Sequence, residues 1–352
     1  MAYKYKSPKR VGLVGCGRIA TKRHAPLLGN NEVTGAVLAA VCDIDDAKAS
    51  ALSEQYQVPR YSDFERMMDV EHPHLVAILT PSGMHGRHIK EMLNYQVPLI
   101  VEKPLALIPA EAEEVTALAK RKGVPLFVVM QNRFNPAIVH LRHAVDGGRF
   151  GEINIATVTV RWCRHLPYYQ DWHGTWAQAG GVLANQAIHH IDILTWLLGQ
   201  PESVFAYATS SLPIDVENTL VAVLRYPGGA LAVLELTAAT RPIDWEGSIT
   251  IQGTKGTAKI GGFAMNQIDT WRFKDSLPDD ALICLTAENP PGVYGYGHKM
   301  FYEHVLECLE KDTASPIDGR SSLRVVTALY QSVETGREVS LAREPYSYRL
   351  GR

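Results

Sequence analysis

"VGLVGCGRIA", residues 11–20, runs from an apolar, strand-like segment into a turn of small residues and on into a helical stretch. Gly15, Gly17 and Ala20 stand in a GxGxxA pattern. In a βαβ unit the first glycine permits the tight turn. The second lets backbone N–H groups approach a pyrophosphate at the helix N-terminus, and the small third residue lets helix and strand pack closely. Alone the pattern is weak, and a glycine turn in an unrelated α/β protein is the plainer alternative. It gains weight from Asp43, which ends the next apolar run, "AVLAAVCD", where a carboxylate accepts hydrogen bonds from adenosine ribose hydroxyls. Asp43, with Asp45 and Asp46 nearby, repels a 2'-phosphate and favours NAD over NADP, while Arg18 pulls the other way.

Outward from this turn, through about residue 130, short apolar runs ("HLVAILT", "VPLIVEK", "VPLFVVM") alternate with amphipathic stretches, the pattern of a parallel sheet covered by helices. After "QNRFNP" longer strand-like segments follow, and Pro227-Gly228-Gly229 joins two of them as a hairpin. The expected fold class is α/β: an N-terminal Rossmann parallel sheet over residues 1–130, then a C-terminal α+β domain over 131–352 with a large, mostly antiparallel open sheet. A chain of 352 residues exceeds what one core usually organises, which also argues two domains. In the hairpin, Leu220, Ala222 and Leu224 alternate with Val221 and Val223, so both faces are apolar. One face can pack on helices, and the other implies a homodimer or homotetramer built sheet to sheet.

A hydrophobic fraction of 46%, a charged fraction of 20% and a formal charge of −2 fit an ordinary globular enzyme and argue against a nucleic-acid partner. Five dispersed cysteines without a CxxC pair signal neither a disulfide framework nor a zinc cage. The basic N-terminus lacks a signal-peptide core, and the most apolar stretch stops at Asp43, well short of the roughly 18–20 residues of a membrane helix. The expectation is a cytoplasmic protein without a membrane partner.

"LTPSGMH", residues 79–85, places Thr80 and Pro81 at the carboxyl edge of the sheet, where ligands bind in open α/β folds. His85 reads either as a cofactor contact or as part of a helix start that Ser82 caps. "VEKP" sets Glu102 and Lys103 at the mouth of another strand. An ammonium there can bond a substrate hydroxyl and favour the developing oxyanion, and Glu102 can orient the ribose or keep Lys103 charged. A surface salt bridge is the simpler alternative. In "GGVLANQAIHHIDILTWLLG", a helix from Asn185 puts Asn185, His189, Asp192 and Trp196 on one face, a polar stripe suited to a cleft wall with a histidine able to exchange a proton. The alternative is a partly buried His189 satisfied by Asp192. A metal site at His189, His190 and Asp192 is disfavoured, since adjacent helical histidines point about 100° apart. "VRWCRHLPYYQDWHGTW" offers Arg161 and Arg164 to a carboxylate or pyrophosphate and its aromatics to a sugar or base, or else is a solvated loop with anchoring rings.

Taken together, GxGxxA, Asp43, "TPSGMH", "EKP", "QNRF" and "GGVLANQAIHHID" resemble the glucose-fructose oxidoreductase and inositol dehydrogenase (Gfo/Idh/MocA) family over nearly the whole chain. Within it, "VRWCR", "WHGTW", "VENT" and "TRPIDWEGSITIQGTKGT" are most similar to the UDP-N-acetylglucosaminuronate 3-dehydrogenases. The resemblance implies an NAD-dependent dehydrogenase that oxidises the C3 hydroxyl of a nucleotide-linked sugar acid. Lys103 and His189 are then the catalytic pair. Gly15, Gly17, Arg18, Ile19, Asp43, Thr80, Pro81, His85, Glu102, Lys103 and Gln131 lie on the cofactor side, and Arg161, Arg164 and Asn185 on the substrate side. Asn185 stands where many inositol dehydrogenases carry Asp, and a neutral amide positions the sugar instead of holding an imidazolium. Some relatives recycle bound NAD with 2-oxoglutarate. A dehydrogenase or ketoreductase for another sugar or an inositol, and a non-catalytic NAD-binding sensor, stay open as alternatives. Retention of Lys103 and His189 argues against the sensor.

Overall fold

A computed structural model describes residues 7–285, 295–313 and 317–352, so the extreme N-terminus weighed above as a signal peptide lies outside the described residues. The chain forms two compact units. One comprises the chain through Ala106, Ala110–Val129 and His298–Asp318; the other comprises Leu107–Pro109, Met130–Gly297 and Gly319–Arg352. The return of His298–Asp318 to the first unit is absent from the contiguous division at residue 130.

In the first unit, β1 (Lys9–Val14), β2 (Ala36–Cys42), β3 (Arg60–Tyr61), β4 (Leu75–Ile78), β5 (Leu99–Val101) and β6 (Leu126–Val128) form one sheet in the order β3-β2-β1-β4-β5-β6. Every pairing in it is parallel. Helices cover both faces of such a sheet, which explains why its strands read as unbroken apolar runs; β4 and β5 are buried throughout. The carboxyl ends of β1, β2, β4 and β5 present Gly15–Cys16, Asp43, Leu79–Thr80 and Glu102–Lys103 along one edge. Backbone bonds from Gly15 N to Cys42 O (2.8 Å), Leu79 N to Val14 O (2.7 Å) and Glu102 N to Ile78 O (3.0 Å) hold that edge together.

The second unit carries an eight-stranded sheet of β7 (Ile153–Arg161), β8 (Ser203–Thr209), β9 (Thr219–Arg225), β10 (Leu231–Thr237), β11 (Glu246–Gly253), β12 (Gly256–Gly261), β13 (Gln267–Phe273) and β14 (Val339–Ser340). Its order is β13-β12-β11-β7-β10-β9-β8-β14, antiparallel except where β7 meets β10. The hairpin forms at Pro227–Gly229, with Gly228 and Gly229 at φ 83° and 91°, values that glycine adopts without a Cβ penalty. Leu220, Ala222 and Leu224 are at most 5% exposed, whereas Val221 and Val223, on the opposite face, are about half exposed. All five cysteines are free thiols. Among the described residues no helix is long and apolar enough to cross a membrane.

Candidate active site

The glycine turn has the shape a dinucleotide needs. Gly15 sits at φ +102°, and a Cβ there would lie 2.7 Å from the backbone C and O of Leu79. A Cβ at Gly17 would meet nothing within 4 Å, so one side of the turn is open to a ligand. Ala20 is fully buried at the start of the helix, Ile19 is half-buried and Arg18 exposed. Asp43 accepts from Cys16 N (2.6 Å) and Asp45 N (2.9 Å), which fixes the turn to the end of β2. A carboxylate has about four lone-pair sites, so those two bonds leave acceptors for ribose hydroxyls. These features fit NAD.

Thr80 is held twice: its hydroxyl bonds His88 Nδ1 (2.9 Å) and its carbonyl meets His85 Nε2 (2.9 Å). His85 Nδ1 meets Pro104 O at 2.7 Å, and the ring is buried. Burial lowers the His85 pKa against the pull of the two carbonyls. Both ring nitrogens therefore face carbonyls, and His85 ties the Thr80–Pro81 turn to the carbonyl of Pro104, the residue that follows the cis Lys103–Pro104 bond.

Glu102 meets protein groups through both carboxylate oxygens. Its Oε1 lies 3.1 Å from His24 Nε2 and 3.7 Å from His298 Nε2, and its Oε2 accepts from Lys103 N at 3.1 Å. His24 Nδ1 is 2.7 Å from the Tyr302 hydroxyl. Burial alone would raise the Glu102 carboxyl, but the two imidazoles hold it well below the usual range. As at Asp43, these bonds leave further lone pairs on the carboxylate. His24, Glu102 and His298 also form a compact set of ligand-type atoms, within 4.8 Å of one another, yet His24 already spends both ring nitrogens on Glu102 and Tyr302. Lys103 itself is half-buried at the strand mouth.

In the second unit, Leu183–Ala187 is a π-helical turn that leads into the α-helix Ile188–Leu198. The sequence reading took Asn185 onward as one α-helix. The wider turn is the kind of irregularity that recurs at functional sites. Asn185 is the single residue between Gly181 and His190 that is not buried, and His189 is 9% exposed. The alternative in which Asp192 satisfies His189 gives way to another partner: Arg133 of "QNRF" grips Asp192 bidentately (2.7 and 2.8 Å) and lies over the Trp196 ring at 5.1 Å. His190 packs edge-on against Trp162 (5.7 Å), and burial pushes its pKa down to about 3. Gln131 is buried in the 3₁₀ turn Gln131–Phe134.

Arg161 and Arg164 are both already paired. Arg161 forks onto Glu235 (2.6 and 2.7 Å), donates to Glu246 (2.8 Å) and lies over Trp245 at 4.8 Å. Arg164 donates to Asp244 (2.8 Å) and lies over Trp162 and Tyr168. Each guanidinium thus already faces a carboxylate within the sheet and its loops. Arg241, which the sequence reading passed over, is exposed and donates to the carbonyls of Thr240 (2.9 Å) and Arg164 (3.1 Å).

A Rossmann turn fitted to NAD, followed by an α/β unit carrying a polar-lined helix, defines a dinucleotide-dependent oxidoreductase. Two family profiles match: "Oxidoreductase family, NAD-binding Rossmann fold" over residues 9–130 and "Oxidoreductase family, C-terminal alpha/beta domain" over residues 142–341. The chain belongs to this Gfo/Idh/MocA oxidoreductase family and is an NAD-dependent dehydrogenase. It is 35% identical to the WlbA dehydrogenase of Bordetella pertussis, solved with NADH and UDP-GlcNAcA, over 95% of this chain and 98% of that one at a TM-score of 0.87. The WlbA dehydrogenase of Chromobacterium violaceum, solved with the same two ligands, is also 35% identical, over 95% and 96%, at 0.88. The D-glucoside 3-dehydrogenase of Escherichia coli is 28% identical over 66% of this chain and 71% of its own length.

Proposed function

We propose that the protein oxidises the C3 hydroxyl of a nucleotide-linked sugar acid, of the UDP-N-acetylglucosaminuronate kind, to the 3-keto sugar. The observation that carries this reading is 35% identity sustained over 95% of the chain to two dehydrogenases solved with NADH and UDP-GlcNAcA. Bound NAD supplies the hydride acceptor, and the turn at Gly15–Gly17 with Asp43 and Thr80 is the proposed cradle for it. His189 takes the hydroxyl proton while the Lys103 ammonium steadies the oxygen as it gains charge, an interaction that strengthens toward the transition state. Asn185 positions the sugar through its amide. With Arg161 and Arg164 paired, Arg241 is the arginine proposed to meet the anionic part of the substrate.

A second reading, an uncharged sugar oxidised at C3, draws on the D-glucoside 3-dehydrogenase likeness and on the neutralisation of Arg161 and Arg164. The exposed face of the second sheet is proposed to join copies of this chain into a homodimer or homotetramer. Absorbance at 340 nm separates the two substrates. Purified protein with NAD is mixed with UDP-GlcNAcA or with methyl glucoside, with and without 2-oxoglutarate to test whether NADH is recycled. Turnover of the nucleotide sugar with formation of the 3-keto product supports the first reading; turnover of methyl glucoside alone supports the second.

A further inference from the structure

Four consecutive amides open the turn that carries Asn185 and leads to His189, and two buried residues from elsewhere in the second unit receive them, three on side chains and one on a backbone carbonyl. The Tyr330 hydroxyl accepts from Gly181 N (3.2 Å) and Ala184 N (3.3 Å) and donates to Glu217 Oε1 (2.9 Å). Glu217 Oε1 accepts from Leu183 N (3.0 Å), and the Glu217 carbonyl from Val182 N (3.0 Å). A helix start leaves such donors without intrahelical partners, and here each has one. Glu217 is 6% exposed and Tyr330 1%. The approach is close enough to require glycine: a Cβ at Gly181 would lie 2.1 Å from both the carbonyl oxygen and Oε2 of Glu217.

We infer that Glu217 and Tyr330 are positioning residues, a remote cap that sets the placement of Asn185 and His189 and so the rate of the reaction proposed above. The groups facing the carboxylate are Tyr330 on the helix Arg320–Thr335, Arg349 near the C-terminus, Tyr169 on the turn Leu166–Tyr169 and Asp215 on its own loop. A cavity of about 130 Å³ is bordered by Glu217, Tyr330, Asp215, Trp176 and Arg349, and Glu217 Oε2 is buried without a hydrogen-bond partner among the described residues. Burial raises the Glu217 carboxyl, against the Leu183 amide, the Tyr330 hydroxyl and Arg349, up to about 7. The cap is thus charged, and its hydrogen bonds strongest, only on the alkaline side of neutrality; charge roughly doubles such bonds.

The test is kcat for UDP-GlcNAcA with NAD from about pH 5.5 to 9 in wild type, Glu217→Gln and Tyr330→Phe. It is paired with amide hydrogen exchange of residues 181–185 over the same range, corrected for intrinsic rates. Wild-type kcat is expected to fall as pH drops through about 7. Glu217→Gln, which cannot ionise, should match wild type on the acid side and fall below it on the alkaline side, so that the wild-type to variant ratio of kcat rises as pH rises through about 7 whatever limb the His189 base adds to both enzymes; Tyr330→Phe should lose about tenfold at every pH, and KM for NAD should hold within about twofold. The Leu183 and Ala184 amides should lose protection on the acid side in wild type and throughout in the variants. A wild-type to Glu217→Gln ratio of kcat that does not change with pH overturns the inference, and if that variant does not fold, unaltered kcat in Tyr330→Phe does so. If wild type turns over no sugar, the substrate reading fails, and exchange alone decides the cap: protection unchanged by pH and by substitution overturns it.

Discussion

At Arg161 three of the five guanidinium N–H donors are spent on Glu235 and Glu246. Hydrogen bonds to charged groups contribute about 1.5–3 kcal/mol each before solvent screening, so the side chain holds the sheet and offers a ligand anion a charge already balanced by two carboxylates. Arg161→Ala is therefore expected to lower the melting temperature while leaving the substrate KM within about twofold. Arg241→Ala should raise KM for the nucleotide sugar acid tenfold or more, the loss of about 1.4 kcal/mol or more of binding. Steady-state kinetics beside thermal melts tell the two apart. Lys103→Met and His189→Ala are each expected to lose about 10²–10⁴ in kcat with NAD binding retained, and near-normal turnover would remove that residue from the chemistry. Glu102 carries a pH prediction. Its folded pKa is held below the ordinary carboxyl value of 4.5, so its ionised form stabilises the fold above that value, and the contribution is lost as pH falls through the lower, folded value. Glu102→Gln should melt lower at neutral pH and show a shallower loss of stability on acidification.

The elements that bind and position follow local rules, which is why they could be read in advance. β1, the glycine turn and the acid ending β2 are contiguous signals, and Gly228-Gly229 encodes its hairpin directly. Gly15→Ala tests the turn: φ +102° together with backbone 2.7 Å from the new Cβ predicts destabilisation beyond the roughly 1–2 kcal/mol of a left-handed conformation. Weakened NAD binding by calorimetry should accompany it. What could not be read depends on register and on distant chain. Arg161 lies 74 and 85 residues from the carboxylates that neutralise it, brought beside them because β7 runs between β10 and β11. His24 and Glu102 are 78 residues apart, and Tyr302 reaches His24 only because His298–Asp318 returns to the first unit. The π-helical turn before His189 left no periodic signal, since each of its residues also fits an α-helix. Glu217 was visible only as the acid in "VENT", with nothing nearby in sequence to mark it as a cap.

At the scale of the molecule, the second sheet leaves Tyr207, Val221, Val223, Leu231 and Val233 exposed, between 37% and 66% each, on one face. Register makes them neighbours: Tyr207 pairs with Val221, and Val223 with Val233. A contiguous apolar face of this kind marks an interaction surface, and a closed two-fold assembly would cover it with its own copy. Light scattering should give a multiple of the 38.9 kDa chain mass, and Val223→Glu should shift the mass toward the monomer; a monomeric wild type at micromolar concentration would refute the assembly. The reaction itself is tested most directly with UDP-N-acetylglucosaminuronate carrying deuterium at C3, followed by mass spectrometry of the reduced cofactor and the sugar. Oxidation at C3 predicts deuterium on the nicotinamide and a 3-keto sugar that has lost it. Reduced cofactor without deuterium, beside an oxidised sugar that keeps it, would contradict C3 as the site of attack.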